Sequence, residues 1–596
     1  MFIFFVKKSK ARVCITCLLF TLVFGCKKRV ETQERSKNKA IEVIYKNDLK
    51  HCIDALDSLI QSEGKESGLK YYLKARQAFK QAEPVLAFVD KDNYKALNQP
   101  NILKVEEEDA TDIKIKSPFG FQVLEEQLFH DEVSMFQVRT NAEVTKNRLN
   151  LILKNTFLTF KEHHIIWLIR DAIARVALTG VTGFDSPVLE QSLNEAQLVY
   201  GRLNDILEGY QLRFKDKVLY ANWVKELQET QEDLNDSFNE FDRYNFIKNH
   251  THKQLELLIE TASDWEVRFP FALAFNNDAL SLFSPSTFNM SFFTDVNLEN
   301  EKAMGIASLG ELLFNDNSLS LSGTMSCASC HNKDKAFSDG LKTFPKQQRN
   351  TPTLKYVALQ QSFFYDGRAG SLEGQIVGVV NNENEFHTDL NAMTQAVEKD
   401  TAYQSRFNDL YNGEITDANI RHAIASYVRT MVSFNSKFDN NINGLENTLN
   451  DREIHGFNLF MGKAKCATCH FAPVFNGTVP PNFTESEFEA IGVPSNIENQ
   501  LEISPDLGRY AVFNTLERKH FFKTPTIRNV SLTAPYMHNG IYNSLEEVVT
   551  FYNNGGGSGL GINLEHQTLP TDSLDLTSKE IEDVVLFMKT LEDKLL

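Results

Sequence analysis

Two short words carry the chemistry of this 596-residue chain: Cys327-Ala328-Ser329-Cys330-His331 and Cys466-Ala467-Thr468-Cys469-His470. Both are C-x-x-C-H. At that spacing two thiols can add to the two vinyl groups of one porphyrin, while the following histidine turns beneath the ring to ligate its iron. A thioredoxin-like C-x-x-C belongs between the strand and helix of a βαβ unit, and a zinc site gathers four ligands close together. Neither accounts for a histidine directly after both pairs, so the residues read as two c-type haem attachment sites. A haem that only carries electrons is ligated on both faces, whereas one that reacts with peroxide leaves a face open. The sixth ligands therefore decide the function.

The elements that must position these words fall into two textures. From about Glu31 to Glu260 the pattern is helical. Ile165, Ile166, Ile169, Ala172, Ile173 and Val176 form one apolar stripe, and Leu189, Leu193, Ala196, Tyr200, Leu203 and Leu207 another, for which Ser186-Pro187 is the expected start. A third amphipathic stretch runs from about Val218 to Phe241. Residues 269–298, rich in Phe, Asn, Ser and Pro, break the periodicity and read as a linker. Beyond it helices shorten and Gly, Asn and Pro recur, as expected where loops wrap a cofactor. A last helix begins near Ser578, where Thr577-Ser578-Lys579-Glu580 reads as a capping box. The cysteine pairs are the one internal repeat noted.

The first 26 residues place Lys7, Lys8, Lys10 and Arg12 before the apolar run Val13 to Phe24 and then Gly25-Cys26, the order of a bacterial export signal, with Val23-Phe24-Gly25-Cys26 resembling a lipobox. The expectation is a periplasmic or cell-envelope protein, lipid-anchored through Cys26. Loss of those four cations takes the formal charge from −17 to −21. Such a surface excludes nucleic acid as a partner and suits a small basic redox protein. No later run is long and apolar enough to span a bilayer. Cys52 reads as an inert buried thiol, and no disulfide is expected.

Over roughly its last 300 residues the chain resembles the bacterial di-haem cytochrome c peroxidases, including the MauG-like di-haem enzymes. The resemblance rests on Leu309-Gly310-Glu311-Leu312-Leu313-Phe314, the first haem word with Ala336-Phe337-Ser338-Asp339-Gly340, Arg349-Asn350-Thr351-Pro352-Thr353-Leu354, Tyr365-Asp366-Gly367-Arg368, Asp506-Leu507-Gly508-Arg509, Phe522-Lys523-Thr524-Pro525, Ile527-Arg528-Asn529-Val530 and Ala534-Pro535-Tyr536-Met537-His538-Asn539-Gly540. It implies a peroxidatic first haem and an electron-receiving second one. Many members block the first iron with a distal histidine, yet none occurs here between His331 and His387. The implied catalytic acid is Glu385 in Asn382-Glu383-Asn384-Glu385, the alternative being a solvated acidic loop. Tyr365 stands where the family usually has a relay tryptophan.

The resemblance also implies Tyr552 as sixth ligand of the second iron, with Met537 as rival, and a calcium ion held by Asn350, Thr533 and Pro535. Arg368 and Arg528 are candidates for haem propionates, with structural salt bridges as the alternative. His387, His455 and His520 receive no role. In the first half, Tyr71-Tyr72, Phe79 to Glu83 and Pro118 to Glu126 faintly resemble imelysin-like bundles, although Gln122 replaces the histidine of their Gly-x-His-x-x-Glu word.

The expected architecture is mainly α: a signal (1–26), a helical domain (27–268), a linker (269–298) and two cytochrome c-like domains (299–445 and 446–596). The expected function is a di-haem peroxidase carrying two haems c and calcium. It would reduce hydrogen peroxide with electrons from a small periplasmic donor such as a cytochrome c or cupredoxin, with a second copy of the chain as partner in a homodimer. The alternatives are a MauG-like oxidase acting on a protein or small molecule, and a non-catalytic electron carrier.

Overall fold

The computed structural model describes residues 38–107, 111–130, 132–295, 301–498 and 501–594. Cys26 and the export-signal reading lie outside them. The described chain is mainly helical, with two small antiparallel ribbons: Lys104–Glu106 pairs with Lys114–Lys116, and Phe488–Glu489 with Phe522–Lys523. Among the described residues no helix is long and apolar enough to cross a membrane.

The first half is a bundle built on the helices 38–60, Lys65–Val89, Glu162–Leu178, Ser192–Gly209, Lys217–Asp233 and His252–Asp264. Glu162–Leu178 is buried without interruption from Ile165 to Leu178, as a helix in the middle of a core should be. Charges buried beside it are paired. Arg76 meets Glu195 with two bonds of 2.6 and 2.9 Å, and Lys80 bridges Glu83 and Asp185. The helix expected to begin at Ser186-Pro187 starts instead at Ser192. The Glu125 carboxylate accepts from the backbone N–H of Val188 and Leu189 and from the Ser186 hydroxyl, which holds this stretch as a turn. Gln122 donates to the Asn98 carbonyl, so both polar residues of the Gly-x-x-x-x-Glu word are used in holding the bundle together.

Residues 269–295 are tied to the rest of the molecule through a few buried positions, Phe275, Leu282, Phe283 and Phe288. Phe275 and Phe288 pair across a bridge, and Phe283 and Phe288 pack edge-on or stacked against Phe438, Phe434 and Phe483 of the second half. One continuous core runs from Ile41 through these rings to Leu591. A separate core, Ile306 to Met431, fills the first cytochrome c-like domain. Tyr356, Leu359, Phe434 and Phe438 reach out of this domain into the larger core and join the two.

Each cytochrome c-like domain is framed by one pair of crossing helices. Ala303–Phe314 packs on Asp417–Arg429 in the first, and Asp451–Met461 on Ser578–Lys589 in the second. At both crossings a glycine lets backbones touch: a Cβ on Gly310 would lie 1.9 Å from the Ala423 carbonyl oxygen, and one on Gly456 1.9 Å from that of Asp583. The Thr577–Glu580 capping box opens the last helix as expected.

Candidate active site

Cys327 to Cys330 form a single helical turn capped by Ser326. The chain then leaves the turn so that the His331 N–H donates to the Cys327 carbonyl at 2.9 Å. The His331 ring is fixed by its Nδ1–H, which donates to the Phe337 carbonyl at 2.9 Å. That bond selects the tautomer whose Nε2 lone pair is free, the state an iron ligand requires. The second word repeats the device. His470 N–H donates to the Cys466 carbonyl, and its Nδ1–H to that of Pro525 at 3.0 Å, while burial pushes the ring pKa down to about 4. Two neutral imidazoles, each aimed by its second nitrogen and each following a pair of free thiols, fit covalently held haem.

His331, Cys327 and Cys330 line a cavity of about 510 Å³, which also takes in Tyr365, Arg368 and Glu385. Among its described lining residues His331 is the sole histidine. His387 is exposed, with its backbone turned at φ 50°. Glu385 is turned inward by a small Asn loop: Asn382 accepts the Asn384 N–H on its side chain and donates to the Glu385 carboxylate at 3.1 Å. Burial raises the Glu385 pKa to about 7, partly opposed by Arg368. Glu383, two residues away, is exposed.

A model of the di-haem cytochrome c peroxidase family matches residues 305–447. The methylamine utilization protein MauG of Methylophilus methylotrophus is 32% identical over 308 residues, which are 50% of this chain and 84% of that protein. The chain belongs to the di-haem cytochrome c peroxidase family. The cytochrome c551 peroxidase of Nitrosomonas europaea is likewise 32% identical over 294 residues, covering 48% of this chain and 79% of its own. A solved MauG-like protein associated with microbial copper homeostasis is 27% identical over 50% of this chain and 92% of its own, with a TM-score of 0.43.

As a member of this family the chain is an oxidoreductase of haem c, and most of its expected site residues gather around this one cavity. Tyr365 lines it, with its hydroxyl 3.5 Å from Asn350 Oδ1 and its carbonyl accepting the Lys523 N–H at 2.7 Å; burial raises its pKa strongly. Asn350, Thr533 and Pro535 line the same cavity. Arg368 lies over the Phe364 ring at 3.5 Å and pairs with Asp366 at 2.8 Å.

Tyr552 is placed beside Cys466 and Cys469, whose proximity adds to burial in raising its pKa. Its rival Met537 packs on the same small apolar cluster as Tyr552 and also lines the first cavity. Arg528 departs from the expectation of a propionate partner. It is fully buried and meets Asp439 with two bonds of 2.9 Å, while its Nε donates to the Pro473 carbonyl. Its planar fork is spent on a carboxylate of the protein, which makes it structural. Two residues passed over in sequence also lie at the haem words. Glu489, whose pKa burial raises to about 7, lies close enough to Cys469 to help raise that thiol's pKa, and Lys523 lines the first cavity. Glu489 carries no motif in the sequence; it is placed by the pairing of Phe488–Glu489 with Phe522–Lys523, partners more than thirty residues apart.

Proposed function

We propose that this di-haem peroxidase reduces hydrogen peroxide to two molecules of water at its first haem, taking two protons and two electrons, the electrons arriving through the second haem from a small periplasmic redox protein. The observation that carries the reading is one cavity holding both the His331 ring and the Glu385 carboxyl, with no other histidine among its described lining residues. Bound haem supplies the iron that takes up peroxide and exchanges electrons. Glu385 accepts the proton of the near oxygen and returns it to the departing one, a task for which a pKa of about 7 serves both halves near neutral pH.

Tyr365 relays electrons between the two sites and releases its phenolic proton as it does so. Asn350, Thr533 and Pro535 hold a calcium ion whose shell of oxygens water completes. The formal charge of −17, and −21 without the first 26 residues, favours a basic donor such as a small cytochrome c or cupredoxin. The mature protein is anchored to the envelope through Cys26.

A second reading, a MauG-like oxidase that uses its oxidised state on a protein or small molecule at a distance, is favoured by Tyr552 beside the second cysteine pair. A tyrosine ligand donates charge to ferric iron and lowers its potential, which favours high oxidation states. Stopped-flow mixing of the oxidised and half-reduced protein with peroxide, followed by turnover with a cytochrome donor, separates the readings. Sustained donor oxidation supports the peroxidase. A long-lived oxidised species with little donor turnover supports the oxidase, and inertness in both states contradicts both.

A further inference from the structure

Haem brings two propionate carboxylates into its pocket, and a carboxylate removed from water is costly unless a cation or several hydrogen bonds receive it. Four cationic side chains line the first cavity: Lys346, Arg349, Arg368 and Lys523. Three of them are spoken for or turned to solvent. Arg349 joins Asp506 at 2.6 Å and Asp366 at 2.7 Å, Arg368 joins the same Asp366, and Lys346 is exposed.

Lys523 differs. Its backbone is pinned by the ribbon with Phe488–Glu489 and by the N–H it gives to the Tyr365 carbonyl. Its Nζ donates to Gln360 Oε1 at 2.5 Å and, among the described residues, meets no carboxylate. An ammonium has three donors, so two remain. Burial alone pulls its pKa down to about 8, with no anion to oppose it. Such a group is stabilised by any carboxylate brought alongside it.

We propose that the Lys523 ammonium, held over the cavity by the Tyr365 carbonyl and Gln360, anchors a propionate of the haem attached at Cys327 and Cys330. The assignment to the first haem follows from the cavity, which Lys523 shares with Cys327, Cys330 and His331 and not with the second cysteine pair. Sequence offered Arg368 and Arg528 as candidate propionate partners and left Lys523 without a role. The position has a second consequence. Lys523 lies two residues before Pro525, whose carbonyl orients His470, so one short segment ties the first haem's carboxylate, the Tyr365 backbone and the second haem's ligand together.

The proposal rests on the two-haem reading and is tested on the full haem-loaded protein. Lys523→Met and Lys523→Arg are compared with the parent by intact mass, by the propionate bending bands in resonance Raman spectra, and by spectroelectrochemical titration of each haem. Both variants are expected to keep two haems. In Lys523→Met the bending band of the first haem moves and its reduction potential falls, because a cation beside a propionate stabilises the reduced, less positive site. In Lys523→Arg the band moves while the potential stays near the parent value. Unmoved bands and potentials in Lys523→Met, with both haems in place, overturn the anchor, as does a change confined to the second haem. A parent protein lacking two haems by mass overturns the reading beneath it. If Lys523→Met fails to assemble, Lys523→Arg decides: an unmoved band overturns the proposal.

Discussion

Burial holds the Glu385 carboxyl at a pKa of about 7, so its ability to take a proton from peroxide changes across the neutral range. The base is the ionised form, hence the rate of reaction with peroxide should rise from about pH 6 to 8 and then level. Glu385→Gln should slow that reaction by roughly 10²–10⁴-fold and flatten the profile, with both haems still attached; stopped-flow rates against pH check both. At this scale the two C-x-x-C-H words were the most legible part of the site, because a five-residue word states its own chemistry. Arg528 was not. Whether a guanidinium meets a propionate or Asp439 depends on a residue 89 positions away, which spacing within a motif does not reveal. Lys523 stood in the Phe522-Lys523-Thr524-Pro525 word without a role for the same reason, since what marks it is the lack of a carboxylate partner.

The crossing helices of the two cytochrome c-like domains are the elements on which the site most depends, because each sets the wall behind one haem word. Both crossings use the same short pattern, Gly310-Glu311-Leu312-Leu313-Phe314 and Gly456-Phe457-Asn458-Leu459-Phe460, with the glycine against a backbone carbonyl 1.9 Å from where its Cβ would be. Gly310→Ala or Gly456→Ala should therefore cost about 1–3 kcal/mol or more by forcing the helices apart, measurable as a lower midpoint in denaturant unfolding. This G-x-x-L-F repeat stands in the sequence beside the repeated cysteine pairs, yet five residues of common type carry little weight until their partner helices are known. Local signals fared unevenly. Thr577-Ser578-Lys579-Glu580 satisfied its own N–H groups and was readable; Ser186-Pro187 looked like a helix start, but Glu125, far back in the chain, supplies competing acceptors that keep it a turn.

At the scale of the whole molecule the first half is continuous with the second haem domain. Phe184 packs edge-on against Phe471, the residue after His470, and Lys465, just before Cys466, reaches the Pro187 carbonyl. Further out, Glu107 pairs with Arg509, which in turn donates to the Asp366 and Gly367 carbonyls next to the cavity. Deletion of residues 27–268 would strip the shared core of its largest part, and the remaining chain should fail to accumulate as a soluble two-haem protein. A soluble fragment with parental spectra would contradict that dependence. Composition showed the change of texture at residue 269 but not its meaning, because a Phe- and Asn-rich stretch reads as a linker until its rings are seen against Phe434, Phe438 and Phe483. The central claim is that a two-haem enzyme keeps its first iron open to peroxide, opposite His331, while Tyr552 closes the second. Electron paramagnetic resonance of the fully oxidised, haem-loaded protein tests this most directly. One high-spin and one low-spin ferric haem is the predicted result; two low-spin haems would contradict it.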